Sequence, residues 1–307
     1  MSRNKNNFET WMNFETWKLF QKEKIFAHRI FSSEQGWIER WNNELVFSYY
    51  NASFRDSLIP TLQTWAQNIG FNYERLWGRW LTKKEIQKNS PFLITGVSPD
   101  SSKIITQEYG VNFQIDFQSG YSLGLFLDQR HNRAFVKHQK PKKLLNCFAY
   151  TGSFSVMAAL SGGETLSIDL SKKSLERAKE NFRLNRLDPA SHRFWAEDVR
   201  QALPKLQRRQ EFFDMIILDP PTFARGVKGK PFQVEQDSKF LILGALPLLK
   251  PKGKMLVSTN CDRISKEALI QICYSGLGRR RCEFHYESPL PDIPEAYAAK
   301  TVWLIVN

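Results

Sequence analysis

Phe213-Asp214-Met215-Ile216-Ile217-Leu218-Asp219-Pro220-Pro221-Thr222-Phe223 decides how this chain is read. The apolar run 213–218 is the pattern of a buried strand. The two prolines cannot continue it, because each holds φ near about −65° and has no N–H to donate. The chain must therefore leave its sheet at the carboxyl end, carrying one carboxylate and bare carbonyls with it. All of these groups are acceptors, suited to a donor such as the amino edge of a base. A plain loop between a strand and a helix explains the same residues, so the neighbouring segments have to decide.

Outward from this stretch, strands and helices alternate. Strands are expected at 144–147, 164–169, 193–196 and 253–258, with closing strands at 282–286 and 301–306. Helices are expected at 153–160, after a Ser171 N-cap, at 199–206, at 233–249 and at 266–274. Such alternation gives a mostly parallel α/β sheet with helices on both faces, and ligands gather beyond the carboxyl ends of its strands. This part spans 141–307. Residues 96–140 read as β-hairpins and a linker, with a strand over 120–130 that ends in Asp128-Gln129-Arg130. Lys137 to Lys143 is a basic, proline-interrupted connection. Residues 1–95 read as a small α+β region for RNA binding or packing, with a strand near 44–50 and a helix over 59–71. Its start holds a tandem hexapeptide, Asn7-Phe8-Glu9-Thr10-Trp11-Met12 and Asn13-Phe14-Glu15-Thr16-Trp17-Lys18, too short for a repeat architecture. Trp77, Arg79, Trp80, Lys83 and Lys84 interleave as in a single-strand clamp, or as a small aromatic core with a basic rim.

The 307 residues carry a net charge of +13, which favours a polyanionic partner such as nucleic acid. The four cysteines show no C-x-x-C spacing, so no zinc site is expected. No membrane span and no signal peptide are visible, and the default location is the cytoplasm. Nothing in the chain assigns an oligomeric state.

The ends of the parallel strands carry the chemistry. Asn146 leads into the turn Phe148-Ala149-Tyr150-Thr151-Gly152, and Asp169, Asp198 and Asp219 end the next three strands. The turn has one glycine and lacks the backbone approach a pyrophosphate needs, which disfavours a dinucleotide. Asp169 suits two ribose hydroxyls and Asp198 an adenine amino group, the pattern expected for S-adenosyl-L-methionine. Three separate helix caps would explain each acid, but not their shared edge.

The motifs Asn146 to Gly152, Asp169-Leu170-Ser171, Asn181 to Asn185 and Asp219 to Phe223 resemble those of class I S-adenosylmethionine-dependent methyltransferases, with a Rossmann-like sheet whose last strand is antiparallel. The subgroup resembled is the bacterial large-subunit rRNA methyltransferases that act on cytosine C5 or guanine N7. Gly124 to Arg130 matches that subgroup, and Ala299 to Leu304 a related group. The resemblance covers about Lys103 onward, and the first 95 residues show no pseudouridine-synthase-type RNA-binding module. It implies that Phe148, Ala149, Tyr150, Thr151 and Gly152 hold the methionine portion and Asp169, Leu170 and Ser171 the ribose side. Asp198 and Val199 would hold the adenine, with Asn146, Asp128 and Arg130 also beside the cofactor. Asn146 stands where the family has an acid. Asp219, Pro220, Pro221, Thr222 and Phe223 would face the target base, with Phe223 stacking on it.

Cytosine C5 needs a thiolate to attack C6. The candidate is Cys261, yet alignment with the subgroup's Ser-Cys-Ser puts Asn260 at that position, and Ser258-Thr259-Asn260 is closer to the guanine-N7 subgroup's Ser-Asn-Asn. The preferred reading is methylation of a nitrogen in a base of structured RNA, rRNA first, with cytosine C5 through Cys261 as the alternative. Two further readings stay open: a non-catalytic RNA-binding protein, and a protein or small-molecule methyltransferase. Lys137 to Lys143, Lys228, Lys230 and Arg279 to Arg281 are candidate phosphate contacts, and 225–230 a candidate lid.

Overall fold

The computed structural model describes residues 9–81, 90–221, 234–278 and 280–306. Thr222, Phe223, Lys83, Lys84, Lys228, Lys230, Arg279 and the candidate lid lie outside them. The chain forms two compact units, residues up to 127 with 289–294, and 128–288 with 295 onward.

The first unit contains β1 (Glu9–Trp11), α1 (Phe14–Lys22), β2 (Ala27–Ser33), β3 (Gly36–Trp41), β4 (Glu44–Tyr49), α2 (Ala52–Ile69), β5 (Arg75–Trp80), β6 (Phe92–Thr95), β7 (Lys103–Glu108) and β8 (Val111–Asp116). Strands β1 to β6 make one sheet in sequence order, and β7 and β8 make the expected hairpin. Among the described strands of this unit only β4 and β5 pair in parallel, because α2 carries the chain across between them. Helix α2 starts well before residue 59: Asn51 caps it by accepting from Ser53 N at 2.8 Å, and Pro60 sits inside it. It stops at Gly70, whose φ of 69° is a left-handed cap that glycine takes without strain. Trp77 and Arg79 are buried, Trp77 stacks on Phe117 at 4.6 Å, and Trp80 meets Tyr49 edge-on at 5.3 Å. Among the described residues, the interleaved aromatics are core.

The second unit contains α3 (Arg130–Gln139), β9 (Lys143–Cys147), α4 (Ser153–Leu160), β10 (Glu164–Asp169), α5 (Lys172–Leu184), β11 (Arg193–Ala196), α6 (Val199–Arg208), β12 (Phe213–Leu218), α7 (Val234–Ala245), β13 (Leu249–Thr259), α8 (Lys266–Leu277), β14 (Cys282–His285) and β15 (Lys300–Val306). Its seven strands run in the order β11-β10-β9-β12-β13-β15-β14. The pairs from β11 to β13 are parallel, and β15 runs antiparallel to both β13 and β14. Phe213, Met215, Ile216, Ile217 and Leu218 are all buried, as a strand covered on both faces requires. Full burial of each such side chain is worth about 1.5–3 kcal/mol. Gly152 fixes how closely α5 approaches: its φ is 72°, and a Cβ there would stand 2.8 Å from Ala178 Cβ.

The strand expected over 120–130 does not form. Gly120 and Gly124 have φ of 94° and 139°, which breaks the extended run, and residues 127–129 make a 3₁₀ turn into α3. The basic connection is likewise part helix: Lys137 and His138 form the last turn of α3, and Lys143 begins β9.

Candidate active site

Register lines up the strand ends. Cys147 lies opposite Ile168 and Leu218, Leu218 opposite Val257, and Asp169 opposite Ala196. The next level of the rim therefore reads Asp169, Phe148, Asp219 and Ser258 across β10, β9, β12 and β13. Neighbours on this rim are about 4.8 Å apart along the sheet. The connections turn outward in opposite directions from β9 and β12, which makes their border the switch point where α/β sheets bind ligands.

The turn after β9 is held under strain. Phe148 and Tyr150 have φ of 58° and 48°, a region that bulky residues avoid, and Gly152 follows at 72°. Asp169 fixes this shape. Its Oδ2 accepts from Tyr150 N and its Oδ1 from Ser171 N, both at 2.8 Å. Asn181 Nδ2 donates to Thr151 O at 2.9 Å from the α5 side. Burial pushes the Asp169 carboxyl above its ordinary range, against the pull of those two amides. Ser171 caps α5, so Asp169 is not a helix cap. Leu170 beside it is 62% exposed, an apolar surface on the rim.

Asp198 does cap a helix, accepting from Arg200 N at 2.8 Å at the start of α6. Arg200 also grips it with its guanidinium, Nη2 to Oδ2 at 2.8 Å. Burial alone would raise its carboxyl; the Arg200 bonds win and hold it low. Val199 next to it is buried. Asn146 is buried inside the sheet and its amide donates to Ser155 Oγ at 3.0 Å, tying β9 to α4. Asp128 accepts from Ala299 N at 3.1 Å, and Arg130 is fully buried, unlike a surface ion pair.

On the other side of the switch point, Asp219 is half-buried, Pro220 buried and Pro221 exposed. Burial raises the Asp219 carboxyl to about 6; nearby Asp128 pushes it the same way, while the Ser258 hydroxyl and Arg133 oppose. One strand further, Asn260 is exposed and Cys261 half-buried. Lys300 Nζ donates to Cys261 O at 3.2 Å. Cys147 and Cys273 are buried, and burial raises both thiols far out of the reactive range. Ser258 and Gln129 complete this side: Gln129 Nε2 donates to Ser258 Oγ at 2.8 Å. Their signal in sequence is slight, a serine at a strand end and the middle residue of Asp-Gln-Arg.

A sheet of this order, with one antiparallel last strand and acids along the rim, defines the methyltransferase class. The pattern of the S-adenosylmethionine-dependent methyltransferase family matches residues 88–300, and the chain belongs to that family. The ribosomal RNA large subunit methyltransferase I of Tolumonas auensis is 36% identical over 239 residues, 76% of this chain and 59% of that protein. A proposed ribosomal RNA large subunit methyltransferase of Bacillus subtilis is 35% identical over 73% of this chain and 57% of its own length. The chain thus spans less than two thirds of these relatives. The solved structure of SMU.776, a proposed methyltransferase complexed with SAH, superposes with a TM-score of 0.81 at 25% identity, covering 97% of this chain and 83% of that one. The residues fit S-adenosylmethionine. The strained turn and Asp169 carboxylate supply polar groups for a nucleoside, Leu170 supplies an apolar surface, and among the described residues the rim shows no glycine-rich phosphate cradle. Among the described residues no cluster could hold a metal, and no helix is long and apolar enough to cross a membrane.

Proposed function

We propose that this chain methylates a base of rRNA. The observation that carries the reading is the juxtaposition, by strand register, of the Asp169-held turn with Asp219 one strand away. The names of the relatives and the +13 charge supply the RNA. S-adenosylmethionine supplies an electrophilic methyl group when bound. The chain's own residues do the rest. Asp169 orients the ribose hydroxyls, the 148–152 turn receives the methionine end, and Leu170 and Val199 flank the adenine. Asp198 reaches the adenine amino group once Arg200 yields. Asp219 accepts from the target base and aligns it, which is mainly catalysis by proximity. Exposed Lys140 and Lys142 suit phosphates, which makes binding salt-dependent.

Nitrogen is the target that the acceptor-rich loop favours. The position of Cys261 favours cytosine C5 instead: it is half-buried just past the end of β13, next to the strand that carries Asp219. There the thiolate would add to C6, C5 would take the methyl, and loss of the C5 proton to solvent would expel the thiolate. Incubation with labelled S-adenosylmethionine and large-subunit rRNA from a deletion strain, followed by nucleoside mass mapping, is expected to give one modified base. No label in RNA sinks the proposal. Cys261→Ala decides the atom: full activity selects nitrogen, and lost transfer together with a trapped RNA adduct in the parent selects C5.

A further inference from the structure

We propose that Gln129 and Asn132 are positioning residues that present the Ser258 hydroxyl proton to Asp219, in a direction fixed by the Trp303 indole. This rests on Asp219 being the residue that meets the target base. Trp303 Nε1 donates to Asn132 Oδ1, Asn132 Nδ2 to Gln129 Oε1, and Gln129 Nε2 to Ser258 Oγ, each at 2.8 Å. Strand register sets Ser258 beside Asp219 at the end of this chain, and the hydroxyl works to lower the Asp219 carboxyl. All four side chains ahead of Asp219 are at most 3% exposed. They come from β15, α3, the 3₁₀ turn before it and β13, so the chain runs under the rim and surfaces at the site.

The direction follows from chemistry. An indole N–H only donates, so Asn132 must turn its oxygen to Trp303 and its nitrogen to Gln129. Gln129 must then turn its nitrogen to Ser258. The Ser258 oxygen is already accepting, so its own proton points onward to Asp219. Reversing one amide would oppose two donors or two acceptors in a dry interior. The charged groups around Asp219 do not settle its state by themselves, because Asp128 opposes ionisation and Arg133 favours it. Burial is larger than either and raises the carboxyl, and a hydrogen bond from Ser258 works against that rise and aims the acceptor.

Asn132→Asp keeps the shape and still accepts from Trp303, but it cannot donate to Gln129. Gln129 then reverses, Ser258 donates to Gln129, and Asp219 loses its proton donor. The readout is the carboxyl carbon resonance of Asp219 in the aspartate-labelled full chain, assigned with Asp219→Asn and titrated without RNA. The substitution also adds a charge, so it is repeated on a Ser258→Ala background, where only the charge can act. The Asp219 midpoint is expected to rise more in the parent background than in the Ser258→Ala background, by about one pH unit. Trp303→Phe, which adds no charge, is expected to raise it less. Equal shifts in the two backgrounds, or an unmoved midpoint in Trp303→Phe, overturn the proposal. S-adenosylmethionine affinity is expected to stay within about twofold of the parent throughout, and loss of affinity in parallel with the midpoint would mark a merely structural role. Methyl transfer to rRNA is read separately. Absence of transfer in the parent defeats the proposed function, while the titration still judges the chain of hydrogen bonds.

Discussion

The two sheets place their charges in opposite ways. In the seven-stranded sheet the carboxylates stand at strand ends, where backbone amides hold Asp169 and Asp219 stands beside Ser258. In the six-stranded sheet the charges lie inside. Arg40 is 4% exposed, with its guanidinium 4.5 Å from the Trp17 ring and 4.6 Å from Phe71, and burial lowers it to about 9. Glu44 is buried between Arg75, which it pairs with, and the Trp77 indole, which donates to it at 2.7 Å. Glu39 stands 3.8 Å from Arg29 and 3.9 Å from Arg79. Charges at a rim keep lone pairs for a ligand. A buried carboxylate such as Glu44 has its lone pairs taken by Arg75 and Trp77, so removing its charge should cost stability and leave binding alone.

That contrast can be broken at four points. The largest effect is expected at Asp169→Ala: S-adenosylmethionine affinity measured by calorimetry should fall on the order of a thousandfold, because two hydroxyl bonds and the anchor of the turn go together. Glu44→Gln should leave that affinity unchanged while urea unfolding shows about 3 kcal/mol less stability, since it removes the buried charge that both Arg75 and the Trp77 indole bond. If Glu44→Gln weakens cofactor binding instead, the separation of roles fails.

Asp219→Asn tests the rim from the stability side. The folded chain keeps the Asp219 proton up to about pH 6, above its ordinary value of 3.8. Between those values the folded state binds more protons than the unfolded one, so this group lowers stability as pH rises through the window. Asp219→Asn should therefore raise Tm at pH 8 and leave it unmoved at pH 3, while methyl transfer collapses. An unchanged Tm at pH 8 would show the carboxylate to be better solvated than its position implies. The smallest effect belongs to the first unit, where Asn13→Ala removes the cap of α1, whose Oδ1 accepts from Thr16 N at 2.8 Å. A loss of about 1 kcal/mol in urea unfolding is expected.

The same contrast explains what could be read in advance. Strand β12 is a near-continuous apolar run because it is covered on both faces, and Ser171 and Asp198 are good caps, so their elements stand out from sequence. The acids Asp169 and Asp219 were legible too, since a strand that stops at an acid puts it on the rim. Ser258, Gln129 and Asn132 were not, because their role depends on three segments far apart in sequence, 129–132, Ser258 and Trp303, meeting under the sheet. The partner that Arg200 gives Asp198 was equally hidden. In the first unit, Arg, Glu and Trp fill both faces of β3 and β5, which erases the alternation that marks a half-buried strand.

The tandem hexapeptide draws the line most sharply. Glu9-Thr10-Trp11 and Glu15-Thr16-Trp17 are the same three residues, each set preceded by Asn-Phe. The first set is β1, laid along Ser33, Ser32 and Phe31 of β2; the second lies in α1 behind the Asn13 cap. Local sequence determined that the second copy can be a helix, since Lys18-Leu19-Phe20 continues the pattern and places Trp17 and Phe20 in the core. It also determined the parallel strands, their caps and the acids that end them. Tertiary structure alone decided that the first copy is a strand, because an open edge of β2 offers hydrogen bonds that three isolated residues cannot make for themselves. It alone decided as well that an indole on the last strand sets the direction of the hydrogen bonds that reach Ser258, beside Asp219.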